Sequence, residues 1–326
     1  MRNSSKAIPL TGFFLLTVMT MLLLISATQE AWIAHPAAGI FATIVTIGTI
    51  IALYFEIKDL LTQTIKPVKF SIKVYEFLAV VIGGLTTFYL SIDIGLGAVI
   101  AAAVIGILAA MIAPKYSVPA YCGAFVGMSS NVLFFSYAEM ILASSFAGIV
   151  FVITRDVFSG FGGKLGTIAF IGASTAAFSL GREFLITPVA GWTTNFYFLV
   201  VALIAAPLTL HLNCNLKNGP VLASGAVGLL SGLTLPVLFP QLGVTLAIVA
   251  TCASYTGMSN TKRCPKMWGM LVAGLFTGVL FAFATPLLGG AGGKLGTIAF
   301  ASIIATDGFI ELYRVSQGQA PICDIN

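Results

Sequence analysis

The sequence predicts an all-α polytopic integral membrane protein of about twelve membrane segments, and composition, apolar runs and an internal duplication each point there. Of 326 residues, 58% are hydrophobic and 8% charged, against roughly 45–50% and about 25% in an ordinary soluble domain. Sixteen Lys and Arg with eleven Asp and Glu cannot cover the surface of a water-soluble core of this length. Lipid is therefore the first partner. The net charge of +5 is read as a marker of topology rather than as a footprint for nucleic acid.

The elements follow in order. Arg2 and Lys6 precede an apolar run at 8–28, longer than the core of a secretory signal, so an N-terminal membrane anchor is expected. A second run at 32–54 completes an N-terminal unit, 1–74. Its basic loop, Phe55–Val74, mixes Lys58, Lys66, Lys69 and Lys73 with apolar residues and is expected to lie along the cytoplasmic interface. A unit at 75–193 holds runs at 75–92, 94–113, 118–137, 139–155 and 164–181. A third, 194–326, holds runs at 194–212, 219–239, 242–258, 267–287 and 295–313. A crossing takes about 20 apolar residues, and 118–137 and 164–181 read as broken or re-entrant helices as readily as full spans. With the N-terminus inside, 14 of the 16 positive residues face the cytoplasm, leaving Arg182 and Lys294 outside. That asymmetry predicts a multi-pass protein of the plasma or inner cell membrane with both termini cytoplasmic.

The chain repeats itself at a step of 130. GGKLGTIAF stands at Gly162–Phe170 and again at Gly292–Phe300, and the ungapped offset gives 20 identities in 61 positions over 120–180 and 250–310. The matches include Cys122/Cys252 and the GMS triplets Gly127–Ser129 and Gly257–Ser259, which apolar bias alone does not produce. Five segments per copy is an odd number, so the second copy is expected upside down, and the charges agree. Asn131–Ser136 is uncharged where Thr261–Lys266 carries Lys262, Arg263 and Lys266. Conversely, Arg155–Asp156 aligns with Thr285–Pro286. Inverted repeats bring matched motifs together near the membrane midplane, an architecture typical of proteins that move solutes.

The candidate site follows from that repeat. Gly162, Gly163, Lys164, Gly166 and Thr167, with Gly292, Gly293, Lys294, Gly296 and Thr297, place glycines around one lysine just before an apolar run. Backbone N–H groups at a helix start, beside an ammonium and a hydroxyl, suit an anion. The alternative is that the glycines let helices pack closely while the lysines anchor at headgroups. A nucleotide-binding P-loop is excluded, because Leu165 and Leu295 stand where Ser or Thr must follow the lysine. Ser129 and Ser259 are candidates to line a central pathway, or else small residues for helix packing. Asp307 and Glu311, one turn apart on the last span, are candidates for proton or cation coupling, or for an interfacial pair with Arg314.

The expected function is a transporter or channel for a small polar or anionic solute. The alternative is a non-transporting membrane subunit or anchor that binds lipid or a partner. An enzyme is not expected, since neither HExxH nor GxSxG occurs. No cofactor is expected, and the five cysteines show no metal-ligand spacing.

Overall fold

The computed structural model describes residues 4–62, 70–186, 188–189, 191–264, 266–284 and 286–319. Among them are twelve α-helices and no strand. The N-terminal pair is α1 (Ser4–Ala34) and α2 (Pro36–Thr62), followed by α3 (Phe70–Ile92), α4 (Ala98–Ile112), α5 (Ser117–Gly127), α6 (Tyr137–Ile153) and α7 (Lys164–Ser179). The chain continues with α8 (Trp192–Leu210), α9 (Pro220–Leu238), α10 (Gly243–Gly257), α11 (Met267–Phe283) and α12 (Lys294–Ser316). Six of these, α1, α2, α3, α8, α9 and α12, are long and apolar enough to cross a membrane. Large apolar side chains such as Ile25, Trp32, Ile50, Ile82, Ile204, Leu230 and Trp268 point outward from the bundle, as a hydrocarbon environment requires.

Local chemistry sets the helix ends. Gly97 and Gly219 take positive φ before α4 and α9, and Pro220 then occupies the first turn of α9, where its missing N–H has no intrahelical partner to lose. Ser136 caps α6, its side chain accepting from the Glu139 N–H. In α8, Pro207 withdraws a donor from the ladder, and the chain leaves the helix through a π-turn at His211–Asn215.

The interfacial loop expected over Phe55–Val74 is shorter in the structure. α2 runs on to Thr62 and α3 begins at Phe70, so Lys58 and Lys73 are helical, while Lys66 and Lys69 lie outside the described residues. The reason is on the buried face of α2, where Glu56 and Asp59 turn inward and Glu56 pairs with Arg263. An acidic helix end with a buried partner does not unwind onto a surface.

Packing follows one scheme. α3 lies on α5 and α6, and α8 lies on α10 and α11. α6 packs on α7, and α11 on α12, while α4 with α9 and α7 with α12 join the two sets. The N-terminal pair wraps the outside, with α2 running along α12. There Gly48 leaves room for the Phe309 ring and the Ala305 carbonyl, and a Cβ at Gly308 would strike the Gly48 carbonyl.

Candidate functional site

Two loops, 154–163 and 286–293, precede α7 and α12, and their backbones turn alike. Phe158 and Leu288 adopt φ of 50° and 44°, Gly160 and Gly290 84° and 86°, and Gly163 and Gly293 75° and 92°. For the two non-glycine residues that left-handed conformation costs about 1–3 kcal/mol each. Phe158 is held there by stacking on Phe13 and by an edge contact with Phe300, at ring-centroid distances of 5.1 and 5.2 Å.

Each loop is buckled to the turn that ends a short helix elsewhere in the chain. Gly162 N donates to Ser259 Oγ after α10, and Gly292 N donates to Ser129 Oγ after α5, both at 2.9 Å. Asn260 N donates to Gly160 O at 3.0 Å and Ser130 N to Gly290 O at 2.9 Å. The thiols of Cys122 and Cys252 donate to the carbonyls of Leu165 and Leu295 at 3.3 and 3.1 Å. Between the two loops, the first turns of α7 and α12 cross with Gly166 against Gly296. A Cβ at either would meet the other's Cα, and one at Gly163 would meet the Gly296 carbonyl and the Phe300 N–H.

The structure thus brings the residues singled out by the repeat into one place, but several are already occupied. Ser129 and Ser259, 2% and 0% exposed, accept from the glycine N–H groups and donate to Val126 O and Thr256 O at 2.7 Å. They are buckles between segments. Gly166 N and Thr167 N both donate to Gly163 O, and Gly296 N and Thr297 N to Gly293 O. Together with Gly162 and Gly292 these donors are taken, so the N–H groups at these six positions are not open to an anion. Thr297 Oγ1 donates weakly to Gly293 O at 3.5 Å, while Thr167 Oγ1 is buried with no partner among the described residues. Lys164 Nζ donates to Thr154 O at 2.7 Å and Arg155 O at 3.2 Å, at the C-terminal end of α6. Lys294 Nζ donates to Leu287 O at 3.0 Å. Each ammonium thus meets a carbonyl oxygen of its own loop, and for Lys164 those carbonyls lie at the negative C-terminal end of α6.

Two cavities flank the crossing. The first, about 620 Å³, is walled by the turn between α3 and α4, by Phe125, Met128 and Ser130 of the first copy, and by Tyr255 and Gly290–Leu295 of the second. Its lining is mainly apolar, and Lys294 is its one charged wall residue. The second, about 350 Å³, is walled by Ser159–Leu165 and Met258 and is ringed by Glu76, Lys115, Arg155 and Lys164. Tyr255 walls the first cavity, and Met258, one turn on, walls the second. Around Tyr255 the rings of Phe125 and Tyr121 form a buried cluster, with centroids 4.3 Å apart for Phe125–Tyr255 and 4.5 Å for Tyr121–Phe125. Tyr255 Oη donates to Met128 Sδ at 3.6 Å, and Tyr121 Oη shares a hydrogen bond with Ser224.

Asp307 and Glu311 are buried, at 1% and 0% exposure. Asp307 faces Arg263 at 3.9 Å rather than Arg314. Arg263 pairs more closely with Glu56, donates from Nε to Ser159 O at 3.2 Å, and lies over the Phe161 ring 4.2 Å from its centroid. This arginine and the aromatic cluster escape a reading by repeat alone. Phe125 and Tyr255 differ in identity at matched positions, yet both are aromatic, and that was the available signal. Glu56 and Asp59, two acids three apart on an apolar span, were the signal for the ionic cluster. Cys122, Cys214, Cys252 and Cys264 are free thiols, and Cys323 lies outside the described residues. Among the described residues no group of three or more His, Cys, Asp or Glu is disposed to hold a metal ion.

No protein-family model matches the chain, and no curated protein or solved structure matches it either.

Proposed function

We propose that this protein is a membrane transporter for a small solute, built from two inverted five-helix repeats behind an N-terminal helix pair. One observation carries the reading: each cavity is walled by the GGKL segment of one copy and the methionine turn of the other, with the buried pair Phe125 and Tyr255 on the wall of the first and Met258, one turn on from Tyr255, on the wall of the second. A solute path needs an opening on each side and a barrier between them, and in this reading the barrier is assigned to the buried cluster of Phe125, Tyr255 and Tyr121. The exchanged buckles, Gly162 with Ser259 and Gly292 with Ser129, support the inverted arrangement, because a two-fold axis in the membrane plane relates contacts in such pairs. The positive-inside rule puts the second cavity, with Lys115 and Arg155, on the cytoplasmic side. The apolar lining of the first cavity favours a solute with an apolar body, and Lys294 favours a negative end.

A second reading has its own observation. Both lysines are engaged by carbonyl oxygens, as packing devices would be, and the chain would then be a non-transporting membrane subunit or anchor. Thiol labelling separates the two. In a chain whose native cysteines are replaced, Ser130→Cys should react with a membrane-impermeant maleimide from outside only, and Ser159→Cys from inside only. Liposomes holding the protein should also take up members of a panel of small organic anions faster than empty ones. Labelling of both sites from one face, with no uptake of any panel member, would establish the second reading.

A further inference from the structure

The ionic cluster at the cytoplasmic end of α12 has no counterpart in the first copy. At the offset of 130, Arg263 matches Leu133, Asp307 matches Ala177, and Glu311 matches Gly181. A duplicated pathway does not need it, so something particular to one end keeps it. Asp307 Oδ1 is buried without a hydrogen-bond partner among the described residues, while Oδ2 stands 3.9 Å from an arginine whose nearer partner is Glu56. A carboxylate in a membrane-embedded interior is expensive unless it is paired or carries a proton, and a partner at 3.9 Å pairs it poorly.

The surroundings are specific. From α2 come Glu56 and Asp59, and from α12 itself Glu311 and Arg314. The turn after α10 brings Lys262, Arg263 and Cys264, and α10 carries Cys252 and Tyr255. Loop 154–163 brings Arg155 and Asp156, α7 begins with Lys164, α1 carries Lys6 and Glu30, and α11 has no ionisable side chain. Of these, Glu56, Glu311 and Arg263 act on Asp307 most directly.

Resting on the transport reading, we propose that Asp307 is the proton-binding group of this transporter, and that Arg263 links its protonation to the cytoplasmic cavity. The step is simple to balance: the carboxylate takes one proton from cytoplasmic water and becomes neutral, and the reverse step returns it. Arg263 has two acidic partners and two contacts on the cavity wall, the Ser159 carbonyl and the Phe161 ring. With Asp307 neutral, Glu56 holds the guanidinium and the wall stays where the structure has it. With Asp307 ionised, the guanidinium is drawn off Glu56 toward α12, and Ser159 and Phe161 follow. Discrete exchange between two partners is how a local charge change becomes a conformational one.

The test uses the full chain in lipid nanodiscs and two readouts that need no solute. Infrared difference spectra between mildly acidic and mildly alkaline buffer should show a titrating carboxylic-acid band that is lost in Asp307→Asn. The maleimide labelling rate at Ser159→Cys, divided by that of a free cysteine peptide at each pH to remove the thiol's own ionisation, should follow the same titration and lose it in Asp307→Asn. Glu56→Gln leaves Arg263 to Asp307 and should move the labelling midpoint to lower pH, which keeps the idea testable if the asparagine variant does not fold. A band that persists in Asp307→Asn, or a corrected labelling rate that ignores pH while Asp307 is in place, overturns the proposal. Because neither signal depends on flux, a chain that titrates but moves nothing sinks the transport reading alone, and one that moves solute without titrating sinks this one alone.

Discussion

At the scale of single residues, the crossing of Gly166 and Gly296 is a close backbone approach on which the site depends. Any side chain there meets backbone, which cannot rotate away. Gly166→Ala and Gly296→Ala should each destabilise the protein by about 1–3 kcal/mol, as overpacking does, and to a similar extent, which thermal unfolding in detergent would check. The serine buckles make a second prediction. Ser129→Ala or Ser259→Ala removes the acceptor from a buried glycine N–H, and an orphaned donor of that kind costs about 1–3 kcal/mol. Alanine at Ser130, whose side chain accepts from Val132 N in a more exposed turn, should cost visibly less in the same assay. The GGKLGTIAF segments stood out as a candidate site because all nine residues recur. Their hydrogen bonding was not legible, since a sequence does not say whether an N–H is open or already bonded, and here Ser259 and Ser129 take those of Gly162 and Gly292.

At the scale of elements, helix length separates the two copies. α7 has 16 residues and α12 has 23, although both begin with KLGTIAF. The extra turns of α12, 310–316, carry Glu311 and Arg314, and α2 packs along the helix before them, at Gly308 and Ala305. Gly308→Leu would drive a side chain into the Gly48 backbone and part these helices. The expected result is a protein that loses thermal stability and whose Arg263 region becomes open to proteolysis. All twelve helices were visible as apolar runs, because hydrophobic length is what membrane insertion reads. Their ends were less so. The run at 118–137 closes as a helix at Gly127, since Ser129 and Ser130 leave the ladder to bond the loop 290–292. That partner lies more than 160 positions away in sequence, beyond the reach of any local pattern. The run at 55–74 went the other way, its lysines suggesting an interface while buried Glu56 kept the helix going.

At the scale of the molecule, the expected topology is both termini in the cytoplasm with loop 131–136 outside and loop 261–266 inside. Reporter fusions or sided labelling at these four places check it, and any terminus found outside would undo the inverted arrangement. The duplication is readable from its period and the charges predict its inversion, whereas the role of α1 and α2 was not readable, because nothing in their own sequence names a partner. Their placement has a thermodynamic meaning. Two identical halves would make the inward-open and outward-open forms equal in free energy, each form being the other turned over. In the transporter proposed above, an N-terminal brace along α12 removes that degeneracy, so the empty protein would rest on one side of its cycle and whatever drives transport would work against a built-in bias.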